Sequence, residues 1–480
     1  MTVASMGVEE RSSAYRRADR VPGIDLHLDR RSGRVRDGLM DAFREAIRSG
    51  RLTPGTQLPS SRILAGDIGV ARNTVARAYS ELIVEGWLTA RPGSRTEVSQ
   101  RAAELTLPRV KWRGRPVPRP PVHDLRPGHP DLSSFPRQEW VRALKRALAS
   151  VPHEAFGYAD PYGRPELRLA LAGYLGRARG VRARPDNIIV CCGAAEGLTL
   201  LAGALAELDI SGVAVEAFGL SAHRESLTRT GLRTPPLAVD SHGADVSALD
   251  DLAEVGAVLM TPSHQFPLGV ALHSDRRAAV VDWARRTGGV IIEDDYDGEF
   301  RYDRNPVGAL HGLDPDHVIY LGTASKSLAP GLRLGWLVVP DHLVDAVARQ
   351  KGETESTSGF VDQLAMAEFI DSGAYDRHIR TMRMAYRRRR EQLVEAVARR
   401  SPQTRIIGMP AGLHVLAELP EGNESALSRT SAWQQLAVVG LSQYTHPEVA
   451  MDRDGLVIGY AAAAPSAWSG ALEALTRLLR

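Results

Sequence analysis

Gly322-Thr323-Ala324-Ser325-Lys326-Ser327-Leu328-Ala329-Pro330-Gly331-Leu332-Arg333-Leu334-Gly335 is the stretch on which the reading of most of this 480-residue chain turns. It follows His317–Leu321, an apolar run with the composition of a buried strand. A lone lysine is ordinarily a solvated surface residue. Lys326 instead has Thr323 and Ser325 just before it and Arg333 seven residues after it. An amine for an aldehyde, with hydroxyls and a guanidinium for a phosphate, are the groups that hold pyridoxal phosphate. Burial at such a turn would lower the lysine pKa.

Further pieces of one site lie upstream. Ile291-Ile292-Glu293-Asp294-Asp295-Tyr296 ends a strand in acidic residues. A carboxylate there can pair with a pyridinium nitrogen; Asp294 is the choice and Asp295 the alternative. Tyr296 is placed to hydrogen-bond the cofactor's phenolic oxygen. Acidic strand ends also mark metal sites, but no His/Asp partner set accompanies these in the sequence, so no metal is expected. Cys192-Gly193-Ala194-Ala195-Glu196-Gly197 lies between a strand and a helix, where small residues let backbone N–H groups approach a phosphate; Ala194 and Ala195 are assigned to it. Thr261-Pro262-Ser263-His264-Gln265-Phe266-Pro267-Leu268-Gly269 follows another strand, and His264 or Gln265 is expected to polarise the ring oxygen.

These runs belong to a regular alternation. Asn187–Val190, Gly212–Val215, Ala257–Met260, Gly289–Ile292, His317–Leu321 and Gly335–Val339 read as strands separated by helical stretches. Such an order predicts an α/β body with a mostly parallel central sheet over 126–480. The run Met384–Arg390 reads as a solvated or subunit-facing face of a helix.

The front of the chain has a different character. Val35, Leu39, Phe43 and Ile47 recur at helical spacing over 34–48. Pro54-Gly55 makes a turn, Ser60 or Ser61 caps a second helix, and Gly66–Gly69 closes the turn into a third helix over 71–84. Val75, Tyr79 and Leu82 face inward, which leaves Arg72, Asn73, Thr74 and Arg77 at the start or on the outer side of that helix. The first residues of a recognition helix reach base edges, with Arg suited to guanine and Asn to adenine. Arg62 joins this set. Leu88–Val98 reads as a strand–turn–strand wing with Gly93 at its tip. Residues 34–98 are thus expected to form a DNA-binding winged helix. Residues 1–33 form a polar, disordered arm and 99–125 a Pro/Arg-rich linker.

Composition supports the division. Net charge is +3, yet residues 1–123 hold 22 Lys+Arg against 13 Asp+Glu, and the remainder 38 against 44. A basic front on an acidic body points to a polyanionic partner. No long apolar run suggests a membrane span or secretory signal. The only cysteines, Cys191 and Cys192, are adjacent, which excludes a disulfide framework and fits a cytoplasmic setting.

The pattern G-x-L-x-P-G-x-x-L-P-S-x-R…A-R-N-T-V…A-Y…E-G-W resembles the GntR-type winged helix, although Arg95 stands where a typical member has glycine in the wing. The order of the Gly193 loop, SHQFPLG, EDDYDGEF and TASK…R is similar to fold type I, the aspartate aminotransferase superfamily. Together they resemble the MocR/GabR-type regulators. That resemblance implies a transcription regulator that binds a double-stranded DNA operator and carries pyridoxal phosphate on Lys326. It implies a head-to-tail homodimer in which Tyr158 reaches the phosphate held by the other subunit. It also implies sensing of an amine, an amino acid or pyridoxal phosphate itself. Two departures bear on catalysis. Val457 stands where aminotransferases carry the arginine that clamps a substrate carboxylate. Leu220, with Phe218 as substitute, stands where an aromatic ring stacks on the cofactor. Ordinary transamination is therefore expected to be weak or absent, the alternative being a working aminotransferase with an appended DNA-binding module.

Overall fold

The computed structural model describes residues 20–21, 24–25, 35–90, 95–103, 121–158, 160–302, 307–352 and 359–480. The chain divides into two compact units, one ending at Pro118 and the other starting at Arg119.

In the first unit, α1 (Val35–Arg48) buries Leu39, Phe43 and Ile47 as its period requires. Ser60 caps α2 (Ser61–Ile68), its hydroxyl accepting from the Ile63 N–H. Helix α2 runs through Gly66 and stops at Gly69, which has φ 68°; the turn is shorter than the expected Gly66–Gly69. Helix α3 (Arg72–Val84) turns Val75, Tyr79 and Leu82 inward. Phe43 packs edge-on against Tyr79, whose hydroxyl donates to the Pro59 carbonyl at 3.0 Å. A pair of two-residue strands, β1 (Leu88–Thr89) and β2 (Glu97–Val98), forms the base of the wing. The wing tip, with Gly93, lies outside the described residues.

Both ends of the segment expected as a linker are built into folded structure. Ala102 is buried in the core of the first unit. His123–Asp124 pairs in parallel with Leu436–Ala437 of the second. Most of the expected arm lies outside the described residues; within it Arg20–Val21 pairs antiparallel with Ile24–Asp25.

The second unit is built on a seven-stranded sheet. Its strands are β3 (Ile188–Cys191), β4 (Val213–Glu216), β5 (Pro236–Leu237), β6 (Ala257–Met260), β7 (Val290–Asp294), β8 (Val318–Thr323) and β9 (Gly335–Val338). Their order is β3-β9-β8-β7-β6-β4-β5. β4 to β8 run parallel, while β9 lies antiparallel to both its neighbours. β3, β4 and β6–β9 are buried throughout, which explains their continuous apolar runs. One face packs Ile189, Val215, Ile292, Leu321 and Leu337 with the helix Ala194–Glu207. The other packs Val190, Tyr320 and Trp336 with Pro165–Arg179 and Phe360–Asp371. A four-stranded antiparallel sheet, containing His414–Leu419 paired with Asp454–Gly459, follows toward the C-terminus.

The arginine run 387–390 lies in the long helix Ala374–Arg400, but it is not all surface. Arg389 is buried, donates to the Asp131 carboxylate at 2.9 Å and to the Ala461 carbonyl at 2.9 Å, and lies near the Tyr386 and Trp468 rings. Helical periodicity decides which arginine in the run turns inward. A second buried pair secures the site strand. Arg179 grips Asp295 with two donors, at 2.6 and 3.1 Å, and the Tyr320 hydroxyl adds a third at 2.9 Å. Replacing Arg179 by Met strands a buried carboxylate and should cost about 3–5 kcal/mol, read as a lower urea midpoint. A midpoint within error of the parent would contradict this account.

Candidate functional site

The C-terminal ends of β4, β6, β7 and β8 open into one cavity of about 490 Å³, the crevice position expected of a parallel sheet. It is lined by Lys326, Asp294, Tyr296, Thr323, Ser325 and Arg333, together with Ala194 and Ala195. Eight side chains or backbone positions chosen from three separate motifs thus converge.

At one end, Gly193 (φ 89°) starts the helix Ala194–Glu207, whose first N–H groups have no intrahelical partner. Gly335 backs this turn; a Cβ there would stand 2.8 Å from the Gly193 Cα, so glycine is required. Arg333, with φ 52°, lines the same end, close enough to Gly193 that a Cβ on it would stand 3.6 Å from its Nη1. Among the described residues Arg333 has no carboxylate partner. The Thr323 hydroxyl lies 3.0 Å from the Ser325 hydroxyl and 3.1 Å from the Leu334 carbonyl, which folds the lysine loop back on itself.

Lys326 is half-buried, and its Nζ donates to the Gly128 carbonyl at 2.7 Å. Gly128 has φ 76°, and a Cβ there would lie 3.3 Å from that nitrogen. Burial pushes the lysine ammonium below its usual range, with Asp294 and Asp297 opposing.

Asp294 is buried at the end of β7, and its Oδ1 has no partner among the described residues. Burial pushes its carboxyl up to about 7, with Lys326 pulling it down. Asp295 points to the opposite side, into the Arg179 and Tyr320 bonds. Strand alternation therefore selects Asp294 over Asp295 as the carboxylate that faces the cavity.

The structure corrects two assignments and adds others. Neither His264 nor Gln265 lines the cavity. Gln265 is consumed by its own loop: Nε2 donates to the Phe218 and Phe266 carbonyls at 2.9 and 2.7 Å, and Oε1 accepts from the Leu268 N–H. His264 sits behind Tyr296, its Nδ1 2.9 Å from Asp297 and 3.2 Å from the Tyr296 hydroxyl. Thr261 and Phe266 are the residues of that loop that meet the cavity. A His–Asp–His set absent from the sequence reading is also assembled there, from His264, Asp297 and His414.

His223 was not anticipated. Its Nδ1 lies 3.6 Å from Asp294, and burial followed by the Lys326 charge holds it down to about 4, so it is neutral near pH 7. Phe218, Leu220, Glu216 and Arg224 also line the cavity. Val457 does not; it is fully buried beside Phe218 and Leu268. Tyr158 is 93% exposed and lies off the cavity of its own chain. In the first unit Arg62, Arg72, Asn73 and Arg77 are exposed and Thr74 is half-buried. No ion pair engages the three arginines among the described residues.

This architecture is that of an aminotransferase-type body carried with a helix-turn-helix unit. Residues 122–457 match the family of aminotransferases of class I and II, and residues 36–98 the bacterial regulatory proteins of the gntR family. The chain is 34% identical to the HTH-type transcriptional regulator YhdI of Bacillus subtilis, over 84% of this chain and 88% of that one. It is 34% identical to the HTH-type pyridoxine biosynthesis transcriptional regulator PdxR of Corynebacterium glutamicum, over 85% and 88%. With the probable rhizopine catabolism regulatory protein MocR of Rhizobium meliloti it shares 33% over 91% and 92%. An archaeal alanine:glyoxylate aminotransferase shares the fold, with a TM-score of 0.67 and 24% identity, over 74% of this chain and 90% of that one. The chain belongs to the MocR-type family of transcription regulators, in which a GntR helix-turn-helix precedes an aminotransferase domain.

The orphaned Asp294 oxygen yields a test in cofactor-free protein. A folded-state pKa near 7, against about 3.9 unfolded, means that stability is lost as pH rises through 7. Asp294→Asn should therefore raise the melting temperature at pH 8, where the buried charge costs about 4 kcal/mol, and leave it nearly unchanged below about pH 4, where Asp294 is protonated in both states. Equal effects at both pH values would refute the assignment.

Proposed function

We propose that the body of this regulator holds pyridoxal phosphate on Lys326 and that occupancy or chemistry there alters DNA binding. The observation that carries the reading is the pairing, in one cavity, of a lysine amine with a buried carboxylate whose Oδ1 has no partner among the described residues. The fit is chemical as well as spatial. Asp294 would meet the ring nitrogen and hold its proton, with His223 bracing the carboxylate. Tyr296 would meet the phenolic oxygen. The Ala194 and Ala195 N–H groups, the Thr323 and Ser325 hydroxyls and the Arg333 guanidinium would grip the phosphate. When bound, the cofactor supplies an electron sink for chemistry on amines.

The exposed Tyr158 suits a reach into the site of a second copy, which supports a head-to-tail dimer. Val457 cannot form the bidentate pair that a substrate carboxylate needs. The effector is accordingly an amine, an amino acid recognised at another position, or pyridoxal phosphate itself. The relative PdxR, a pyridoxine biosynthesis transcriptional regulator, supports the last of these. On the DNA side, Arg62, Arg72, Asn73, Thr74 and Arg77 form the operator-reading set, with the 34–98 unit docking in the major groove. A ligand acts on this unit only by binding one arrangement of the protein more tightly than another.

Protein supplied with pyridoxal phosphate should be yellow, and borohydride should bleach it. Lys326→Ala should be colourless, and a colourless parent chain would remove the cofactor assignment. Arg72→Ala should weaken operator binding by about 1–3 kcal/mol if its contact is bidentate, measured by fluorescence anisotropy. Unchanged affinity would take Arg72 out of the reading set.

A further inference from the structure

We propose that His264 and Asp297 form a positioning dyad that fixes the direction of the Tyr296 hydroxyl and turns its proton toward the cofactor's phenolic oxygen. This rests on the cofactor reading above and adds two residues that lie outside the cavity. His264 and Asp297 are 3% and 2% exposed, so their partners are fixed by the fold and not by solvent. Asp297 Oδ2 lies 2.9 Å from His264 Nδ1. A carboxylate accepts only, so the Nδ1 position carries the imidazole proton. The same nitrogen lies 3.2 Å from the Tyr296 hydroxyl oxygen, and with its one proton directed at Asp297 it has no lone pair to accept the tyrosine proton.

Besides the Asp297 carboxylate, which the His264 Nδ1–H already engages, the tyrosine proton has two places to go. One is the His264 backbone carbonyl, 3.1 Å away. The other is the cavity that Tyr296 lines. A negatively charged phenolic oxygen is a stronger acceptor than a neutral carbonyl, so the cofactor wins the proton's direction. The imidazole cannot rotate out of this role. A Cβ on Gly412 would stand 2.2 Å from His264 Cε1 and 2.5 Å from Asp297 Oδ2, so backbone closes the far side. The Gly412 carbonyl is in turn held by the hydroxyls of Tyr302 and Tyr460. Phe266 and His414 pack on each other at 5.0 Å, and His414 on His264 at 5.1 Å, completing the wall.

The His264–Asp297–His414 set also has the composition of a metal site. Two ligands each about 2.1 Å from a tetrahedral ion stand about 3.4 Å apart. The 2.9 Å separation of His264 and Asp297 is that of a hydrogen bond.

The test is the pH at which the bound chromophore changes colour in protein reconstituted with pyridoxal phosphate. A donated hydrogen bond stabilises the anionic phenolic oxygen and lowers that midpoint, so losing it raises the midpoint. His264→Ala and Tyr296→Phe should each raise it by about one pH unit, a tenfold change in proton affinity. His264→Asn, whose amide N–H replaces the Nδ1 donor, should restore the parental value. The double variant should shift no further than Tyr296→Phe alone. Asp297→Asn should raise the midpoint as well, and it serves if His264→Ala does not fold. The dyad is refuted by parental midpoints in His264→Ala and Asp297→Asn, by additive shifts in the double variant, or by stoichiometric zinc in the purified protein. A parent chain that takes up no chromophore removes the cofactor reading and the dyad together. Colour with an unmoved midpoint removes the dyad alone.

Discussion

A buried carboxylate facing a half-buried amine is the constraint around which the larger unit is organised. Asp294 ends the central strand of a parallel sheet, where Lys326, on the next strand's loop, is the cation that faces it. Neither group is solvated as it would be in water, and each disfavours its charged form by burial while favouring the other's. A protein keeps so costly an arrangement when something else completes it. The partner sets behind the pair are of the same kind. Arg179 and Tyr320 hold Asp295 out of the cavity, and the Gly128 carbonyl accepts a hydrogen bond from the lysine Nζ.

The cavity that results differs from a general amino-acid site in what lines it. Phe266 supplies an apolar wall where a polar contact to the ring oxygen was expected. Leu220 and Phe218 share the wall on which an aromatic ring would stack, with His223 beside them. Val457 is locked into the antiparallel sheet, opposite Leu416 and Val439. Under the proposed reading the grip on a substrate carboxylate is weak at position 457, while the lysine, the carboxylate and the phosphate-end residues stand together in the cavity. Such a body suits a sensor, in which binding has to be selective and turnover is dispensable.

Much of the site was legible because its parts are local. Thr323, Ser325, Lys326 and Arg333 lie in one loop, and a strand followed by small residues announces the turn at Ala194. Of the two candidate carboxylates, Asp294 faces the cavity and Asp295 does not, because strand alternation allows only one of two neighbours to do so. The failures share a cause as well. The loop containing His264 and Gln265 was identified, but the direction of its side chains was not. That direction follows from backbone hydrogen bonds, such as those consuming Gln265, which no spacing encodes. His223 sits on a helix without any motif, and Gly128 lies 198 residues from the lysine that it receives.

The amino-acid sequence by itself determined the helices of the first unit and the alternating strands and helices of the body, because hydrophobic period and turn residues are local signals of secondary structure. It also singled out Lys326 as the candidate amine, since the grouping of hydroxyls, lysine and guanidinium is contiguous. Only the tertiary structure decided what stands behind those residues: the carboxylate left without a partner, the imidazole braced against it, and the histidine–aspartate pair behind Tyr296. These depend on contacts between segments far apart in the chain, and burial, which sets the cost of every charge in them, exists only once the sheet and helices have closed.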